Sequence, residues 1–408
     1  MEAIFESDGG FVDFGRDWLM PYQRTSACRV AGGDKESLRE AVRKRLPKDP
    51  GIYGFVNRDG KLIYVGKSKS LRSRVLSYFL PTNADEKAGQ IAEAACEVLW
   101  ETQPSEFAAL LREQKLISRW QPRYNVVGMP RRQRAAYLCL GHGPADCFYV
   151  STKVDKKARA SEGPFFGMNR LARAAEILNR LFRLRDCSDK TGFVFRDQLT
   201  LFDDPRRPGC LRVEMGTCLG PCASVCSKAQ YEAELQRAIA FLKGGDVELL
   251  DGLEADMNRA AARLHFERAA RLREDWLLMQ WLTRKLLQNE QARTQYNFIY
   301  PVAAADGRDI WYLIRGGKVE HAVARPRSTT QWHRCRDDIR QWFGSRNRLE
   351  GCYDGGGDTL HIVAAWFRKQ RDQLRLVHNL AELPEEYADT LSPATLDAGS
   401  GGNAVAVK

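Results

Sequence analysis

Two apolar runs, residues 51–56 and 62–66, flank an Asp59-Gly60 pair, the strongest short-range signal for a tight hairpin turn. Ahead of them, residues 35–46 predict a short helix that Pro47 and Pro50 terminate before the first strand. After them, residues 70–80 predict a helix with Ser70 as N-cap, and 91–101 a passage from helix to strand. Residues 105–120 carry Phe107, Leu110, Leu111 and Ile117 on one helical stripe, with Glu113 at its margin, where a carboxylate can border the core and still face a cleft. Farther along, 137–150 predict a strand pair and 171–184 a basic amphipathic helix. From 228 to 287 the pattern is helical, and a break near 264–266 folds it into a helical hairpin. Residues 297–323 alternate as strands around Gly316-Gly317, and helices follow at 331–343 and 359–369. The pattern predicts an α+β, multidomain chain. Its parts are an N-terminal extension (1–47), a small α/β unit (48–128), a basic connecting region (129–186), a cysteine-rich region (187–227), a helical region (228–290), a mixed α/β region (291–395) and a disordered tail (396–408).

Charge narrows the class of partner. The 408 residues carry a formal net charge of +11, which favours a polyanion. The excess is concentrated between residues 128 and 185, where Arg131, Arg132, Arg134, Lys153, Lys156 and Lys157 are candidate DNA-binding cations. No apolar stretch approaches the roughly twenty residues of a membrane span, and the first thirty lack a signal-peptide core, so a cytoplasmic protein without membrane association is expected. In that compartment eleven cysteines point to a metal site rather than a disulfide framework.

Chemistry concentrates in the first α/β unit. Tyr53 and Tyr64 sit one on each hairpin strand, Lys67 follows the second, and Arg74 and Tyr78 lie one helical turn apart. Phosphodiester hydrolysis needs an activated water, a base, and cations to offset charge at phosphorus. Arg74 suits phosphate oxygens. Glu113 is a candidate ligand for a divalent metal, since magnesium takes one or two carboxylates and keeps several waters. Lys67 is expected to lower the pKa of Tyr64 or Tyr53, making one of them the general base.

Gly51-Ile52-Tyr53 and Tyr64-Val65-Gly66 resemble the paired signatures of the GIY-YIG nucleases. The longer run through Lys67, Arg74, Ser77-Tyr78-Phe79, Glu113 and Pro122-Arg123-Tyr124-Asn125 resembles the N-terminal nuclease of the UvrC family, which incises DNA in bacterial nucleotide excision repair. The resemblance implies that Glu113 holds Mg²⁺ or Mn²⁺, that Tyr53, Tyr64, Lys67, Arg74 and Tyr78 build the site, that Asn125 stabilises it, and that the cut falls 3′ of a lesion. Arg112 stands where the family has leucine, a position expected to face solvent.

Cys187, Cys210, Cys218 and Cys222 suit zinc or an iron–sulfur cluster, with Cys226 leaving the fourth ligand ambiguous. Their surroundings resemble the UvrC cysteine region, which implies a 4Fe–4S cluster, with Zn²⁺ the alternative. Leu264, Phe266, Ala269, Ala270 and Arg273 resemble the UVR motif, which implies docking on a UvrB-like protein. No stretch matches the family's second, ribonuclease-H-like nuclease, so a single-cut enzyme similar to the shortened Cho homologues is expected. Damaged double-stranded DNA is the expected substrate, with no small-molecule substrate. The rival readings are a catalytically silent module that binds DNA or a UvrB-like protein, and a GIY-YIG nuclease acting outside repair.

Overall fold

The computed structural model describes residues 11–22, 27–80, 86–126, 135–141, 143–188, 191–198, 209–244, 248–304, 307–344 and 359–379. Arg131, Arg132, Arg134 and the tail 396–408 lie outside them. The chain divides into two units, residues 1–129 with 292–408, and residues 130–291.

The first unit begins with β1 (Cys28–Ala31) and α1 (Lys35–Arg45), whose Asp34 and Ser37 form a reciprocal capping box. Next come β2 (Gly51–Asn57), β3 (Leu62–Ser68), α2 (Leu71–Ser77), α3 (Glu86–Ala94), β4 (Ala95–Thr102), α4 (Glu106–Trp120) and α5 (Arg123–Val126). The strands form an antiparallel sheet in the order β1-β4-β2-β3, which leaves β3 as an edge. Strand alternation divides the apolar residues between two faces. Tyr53 and Phe55 pack with Val75, Tyr78 and Ile91, whereas Ile52, Val65 and Leu99 pack against Ala109 and Leu116 of α4. β1, in the stretch read from sequence as an extension, pairs with β4 and supplies the opposite edge.

The second unit holds β5 (Ala135–Gly141), β6 (Cys147–Ser151) and β7 (Ala160–Phe166) in the order β6-β5-β7, followed by α6 (Met168–Leu181). β7 was not evident in the sequence, because Gly163-Pro164 interrupts its apolar pattern. The Asn179 amide accepts from the Phe148 N–H at 2.7 Å and donates to its carbonyl at 3.0 Å, fastening α6 to β6. One turn of helix, α7 (Leu211–Glu214), lies in the cysteine-rich stretch. Then come α8 (Lys228–Leu242), α9 (Glu248–Ala262) and α10 (Phe266–Gln295). Phe148, Phe165, Phe182, Tyr231, Phe241 and Met279 share one core.

The chain re-enters the first unit with β8 (Phe298–Val302), β9 (Ile310–Arg315) and β10 (Lys318–Ala324), then α11 (Thr329–Gly344), α12 (Leu360–Lys369) and β11 (His378–Asn379). The sheet order is β10-β9-β8-β11. Gly316 and Gly317 make the β9–β10 turn with φ of 58° and 72°, the left-handed pair such a two-residue turn requires. This sheet packs on α4 of the same unit, with one aromatic residue of that helix at the centre of the contact. The Phe107 ring stands 5.2 Å from those of Tyr300 and Tyr312 and 5.3 Å from that of Trp366. Helix α4 is therefore buried on two sides, by Ala109 and Leu116 against the first sheet and by Phe107, Ala108 and Leu111 against the second. No helix among the described residues is long and apolar enough to cross a membrane.

Candidate active site at the sheet edge

Tyrosines from the hairpin and from α2 converge on one face of the first sheet. The ring centroids of Tyr53, Tyr64 and Tyr78 are 6.1, 5.9 and 5.8 Å apart, a near-equilateral cluster. The hydroxyls of Tyr53 and Tyr78 are hydrogen-bonded at 2.9 Å, Arg74 Nε donates to Tyr53 at 3.3 Å, and the Tyr64 phenol stands beside that of Tyr78, near enough to act on its ionisation. The result is a hydroxyl chain, Tyr64–Tyr78–Tyr53, capped by a guanidinium. Gly66 makes room for it: a Cβ at that position would lie 2.6 Å from the Tyr53 hydroxyl and 3.0 Å from the Tyr64 ring.

Glu113 reaches the same place from the other face. Its helix lies opposite the tyrosines, but β3 is an edge strand, so its outward peptide groups are open to side chains. The Val65 N–H donates to Asn125 Oδ1 at 2.7 Å, and Asn125 Nδ2 donates to the Val65 carbonyl at 2.8 Å. Two residues on, the Lys67 N–H faces the Glu113 carboxylate and favours its charge. Asn125 and Glu113 thus occupy successive outward positions of one strand. Burial pushes the Glu113 carboxyl above its ordinary value, against the Lys67 ammonium and N–H, which favour the charge. The Glu113 charge in turn acts on the Tyr64 phenol, so carboxylate and hydroxyl chain meet at this edge.

The expected role of Lys67 changes. Burial raises the pKa of all three tyrosines, and the cation opposing it is Arg74. The Lys67 ammonium pairs with Glu106 at 3.4 Å, beside Lys69 at 3.1 Å. Glu106, Lys69 and Lys87, whose ammonium lies 5.7 Å from the Tyr64 ring centroid, were not singled out in the sequence. An acid in a first helical turn reads as ordinary capping electrostatics, and the Lys67-Ser68-Lys69 repeat was the one available signal.

Arg112 is also corrected. It is 2% exposed rather than solvent-facing. Its guanidinium forms a fork on Glu101 at 2.9 and 3.0 Å and donates to the carbonyls of Gly15 at 2.6 Å and Arg16 at 3.2 Å. With α4 buried on two sides, the position has no route to solvent.

Elsewhere, Lys153, Lys156 and Lys157 are exposed between β6 and β7. Leu264 and Phe266, 71% and 66% exposed, form the tip between α9 and α10, where Leu264 takes a left-handed φ of 59°. Ala270 and Arg273 are exposed along α10 and Ala269 is half-buried. Burial pushes the Cys218 thiol up to about 11, with Cys222, Cys187 and Cys210 close enough to add to the shift, while the Gly220 N–H donates to its sulfur at 3.4 Å. Burial also pushes the Cys226 thiol up to about 11, with Asp197 and Cys222 adding to the shift, so Cys226 is a fifth thiol beside the set. Among the described residues, no three His, Cys, Asp or Glu side chains stand together as a ready-made metal cage.

Three family models match successive stretches of the chain. They are the UvrC-like GIY-YIG domain over residues 49–126, the UvrC/Cho excinuclease middle domain over 136–241, and the UvrB/uvrC motif over 248–275. The UvrABC system protein C of Psychrobacter sp. (strain PRwf-1) is 31% identical over 303 residues, 72% of this chain and 46% of that protein. That of Methanosarcina barkeri (strain Fusaro) is 32% identical over 256 residues, covering 62% and 45% respectively. The chain therefore spans less than half the length of these curated relatives. Among solved structures, the GIY-YIG N-terminal endonuclease domain of UvrC from Thermotoga maritima, bound to its catalytic magnesium, is 37% identical over 22% of this chain and 98% of its own, with a TM-score of 0.21. Three matched models in unbroken order, the first enclosing the tyrosine cluster, Glu113 and Asn125, place the chain in the UvrC-type GIY-YIG endonuclease family.

Proposed function

We propose that this chain hydrolyses one phosphodiester linkage 3′ of a lesion in duplex DNA, as an excision-repair endonuclease recruited by a UvrB-like partner. The observation carrying the chemistry is the meeting of Glu113 with the Tyr64–Tyr78–Tyr53 chain across edge strand β3. A desolvated carboxylate facing a peptide N–H, where the described residues form no cage of three ligands, fits Mg²⁺ or Mn²⁺ retaining most of its waters better than zinc. Such an ion supplies charge neutralisation at phosphorus and at the leaving oxygen. Tyr64 Oη, beside Glu113, would accept the proton of the attacking water as a phenolate, once its own hydroxyl proton has passed to solvent. Arg74 braces the phosphate and opposes the burial that keeps the phenols protonated. Tyr78 and Tyr53 hold Tyr64 in place, and Asn125 fixes the strand that carries it. Lys67 and Lys69, steadied by Glu106, present positive charge to the DNA backbone, as do Lys153, Lys156 and Lys157. The exposed Leu264 and Phe266, with Ala269, Ala270 and Arg273, form the docking tip for the partner.

The full chain incubated with UvrA, UvrB, magnesium and an end-labelled lesion-bearing duplex is expected to leave a single nick on the 3′ side. No nick, or cutting indifferent to lesion and partner, sinks the reading. Gly66→Ala places a methyl against the Tyr53 hydroxyl and displaces the chain, so nicking is expected to fall roughly 100-fold, with DNA affinity retained.

Cys187, Cys210, Cys218 and Cys222 are proposed to hold a 4Fe–4S cluster or Zn²⁺ in a structural role. The N–H···S bond to Cys218 and the closeness of Cys222, Cys187 and Cys210 to that thiol support the set. Protein purified anaerobically is expected to show thiolate-to-iron charge-transfer absorbance that Cys218→Ser abolishes. A colourless protein containing stoichiometric zinc selects the alternative, and a metal-free one removes both.

A further inference from the structure

A cavity of about 280 Å³ lies within the first unit, outside the hydroxyl chain. Its walls include the Tyr22 ring, Pro50, Pro104 and Met20, with Ile310 from β9. Three polar side chains give it chemistry: Gln103, Arg308 and Asp49. Gln103, 4% exposed, lines it, and its buried Oε1 accepts no hydrogen bond from any described residue. Arg308 also lines it, with its guanidinium 5.5 Å from the Tyr22 ring centroid. Tyr22 is itself fixed, because its hydroxyl donates to the Asp309 carbonyl at 2.9 Å. Asp49, also on the wall, makes the interior unsuited to a phosphate and suited to an amine-bearing ring.

Its position relates it to the candidate active site. Gly51, next to Pro50, is paired with both Ser68 and Thr102, so the cavity sits at the end of the sheet where β3 passes Lys67. Glu106, which holds Lys67 and Lys69, is three residues from Gln103, at most about 11 Å of chain.

We propose that this cavity receives an unstacked nucleobase of the DNA strand next to the cleaved linkage. The inference rests on the DNA-cleaving reading above and adds a base-specific contact to it. The Tyr22 face and the prolines provide a stacking platform. The Gln103 amide, rotating about a soft terminal torsion, presents its orphaned oxygen to an exocyclic amine. Arg308 meets the adjoining phosphate at the rim. The volume admits a single base with part of its sugar and excludes a duplex. Because the walls come from residues 20–22, the hairpin end and β9, the site depends on the second sheet being seated on the unit.

The test uses the full chain and duplexes carrying a fluorescent adenine analogue at single positions on either side of the cut. Fluorescence is read on Glu113→Gln, so that binding is followed without cleavage. One position is expected to change on binding, and Gln103→Leu is expected to return it to the free-DNA value. In the wild-type background the same substitution is expected to raise KM about tenfold with kcat unchanged, the effect of one lost base contact. Arg308→Ala, an exposed rim substitution, repeats the measurement should Gln103→Leu fold poorly. If no position responds to either variant while wild-type protein nicks normally, the cavity assignment is overturned and the nuclease reading stands. If a position responds but no variant or wild-type protein nicks, the base pocket stands and the cleavage reading falls.

Discussion

Glu113→Gln is expected to reduce nicking by on the order of 10³-fold or more while leaving DNA affinity within about twofold of wild type. Glutamine is the sharper test than alanine. It keeps an oxygen for the Lys67 N–H and the volume of the side chain at the sheet edge, so only the charge is removed. In the metal-free protein that charge is costly, because burial works against it and Lys67 compensates only in part. A costly buried charge at this sheet edge makes sense if a cation completes it. Single-turnover nicking of an end-labelled duplex, alongside fluorescence anisotropy for affinity, separates the outcomes. Glu113→Gln nicking at the wild-type rate removes Glu113 from the chemistry; loss of affinity and rate together makes it a folding or binding residue.

Most of this site was legible because its parts are local. Asp59-Gly60 between apolar runs specifies the hairpin, and strand alternation sends Tyr53 and Phe55 to one face. A four-residue helical spacing brings Arg74 and Tyr78 onto the same side. What the residue pattern could not convey is how Glu113, on a helix packed against the opposite face, joins them. That depends on β3 being an edge strand, a property of strand order rather than of any one segment. The electrostatics were read backwards for a related reason. Lys67 follows Tyr64 closely in sequence, but its ammonium is turned to Glu106, nearly forty residues on, leaving Arg74 to act on the phenols. Helix α4 shows the same limit. Its large residues gave one apolar stripe, while Ala108 and Ala109, too small to announce an interface, line the others. The mixed region after α10 likewise read as a separate body, although its aromatic residues close around Phe107.

Arg112→Ala is expected to destabilise the first unit by about 3–5 kcal/mol and lower its Tm by roughly 10 °C. The reason is what the guanidinium leaves behind. Glu101, itself largely buried, loses both fork contacts, and the carbonyls of Gly15 and Arg16 lose their donor. A buried carboxylate stripped of its fork costs more than the pair was worth, so leucine, which fills the volume, is expected to recover only part of the loss. Combining Arg112→Leu with Glu101→Leu removes both charges and is expected to restore much of it, a non-additivity that a double-mutant cycle measures directly. Because residues 15–17 are fastened to α4 through this group, the single alanine variant should also expose the segment before β1 to proteolysis. Thermal unfolding of the four proteins of the cycle and of Arg112→Ala, with limited proteolysis, decides the matter. Arg112→Ala melting with the wild type would show that the fork contributes nothing, and that burial on two faces alone holds the helix that presents Glu113.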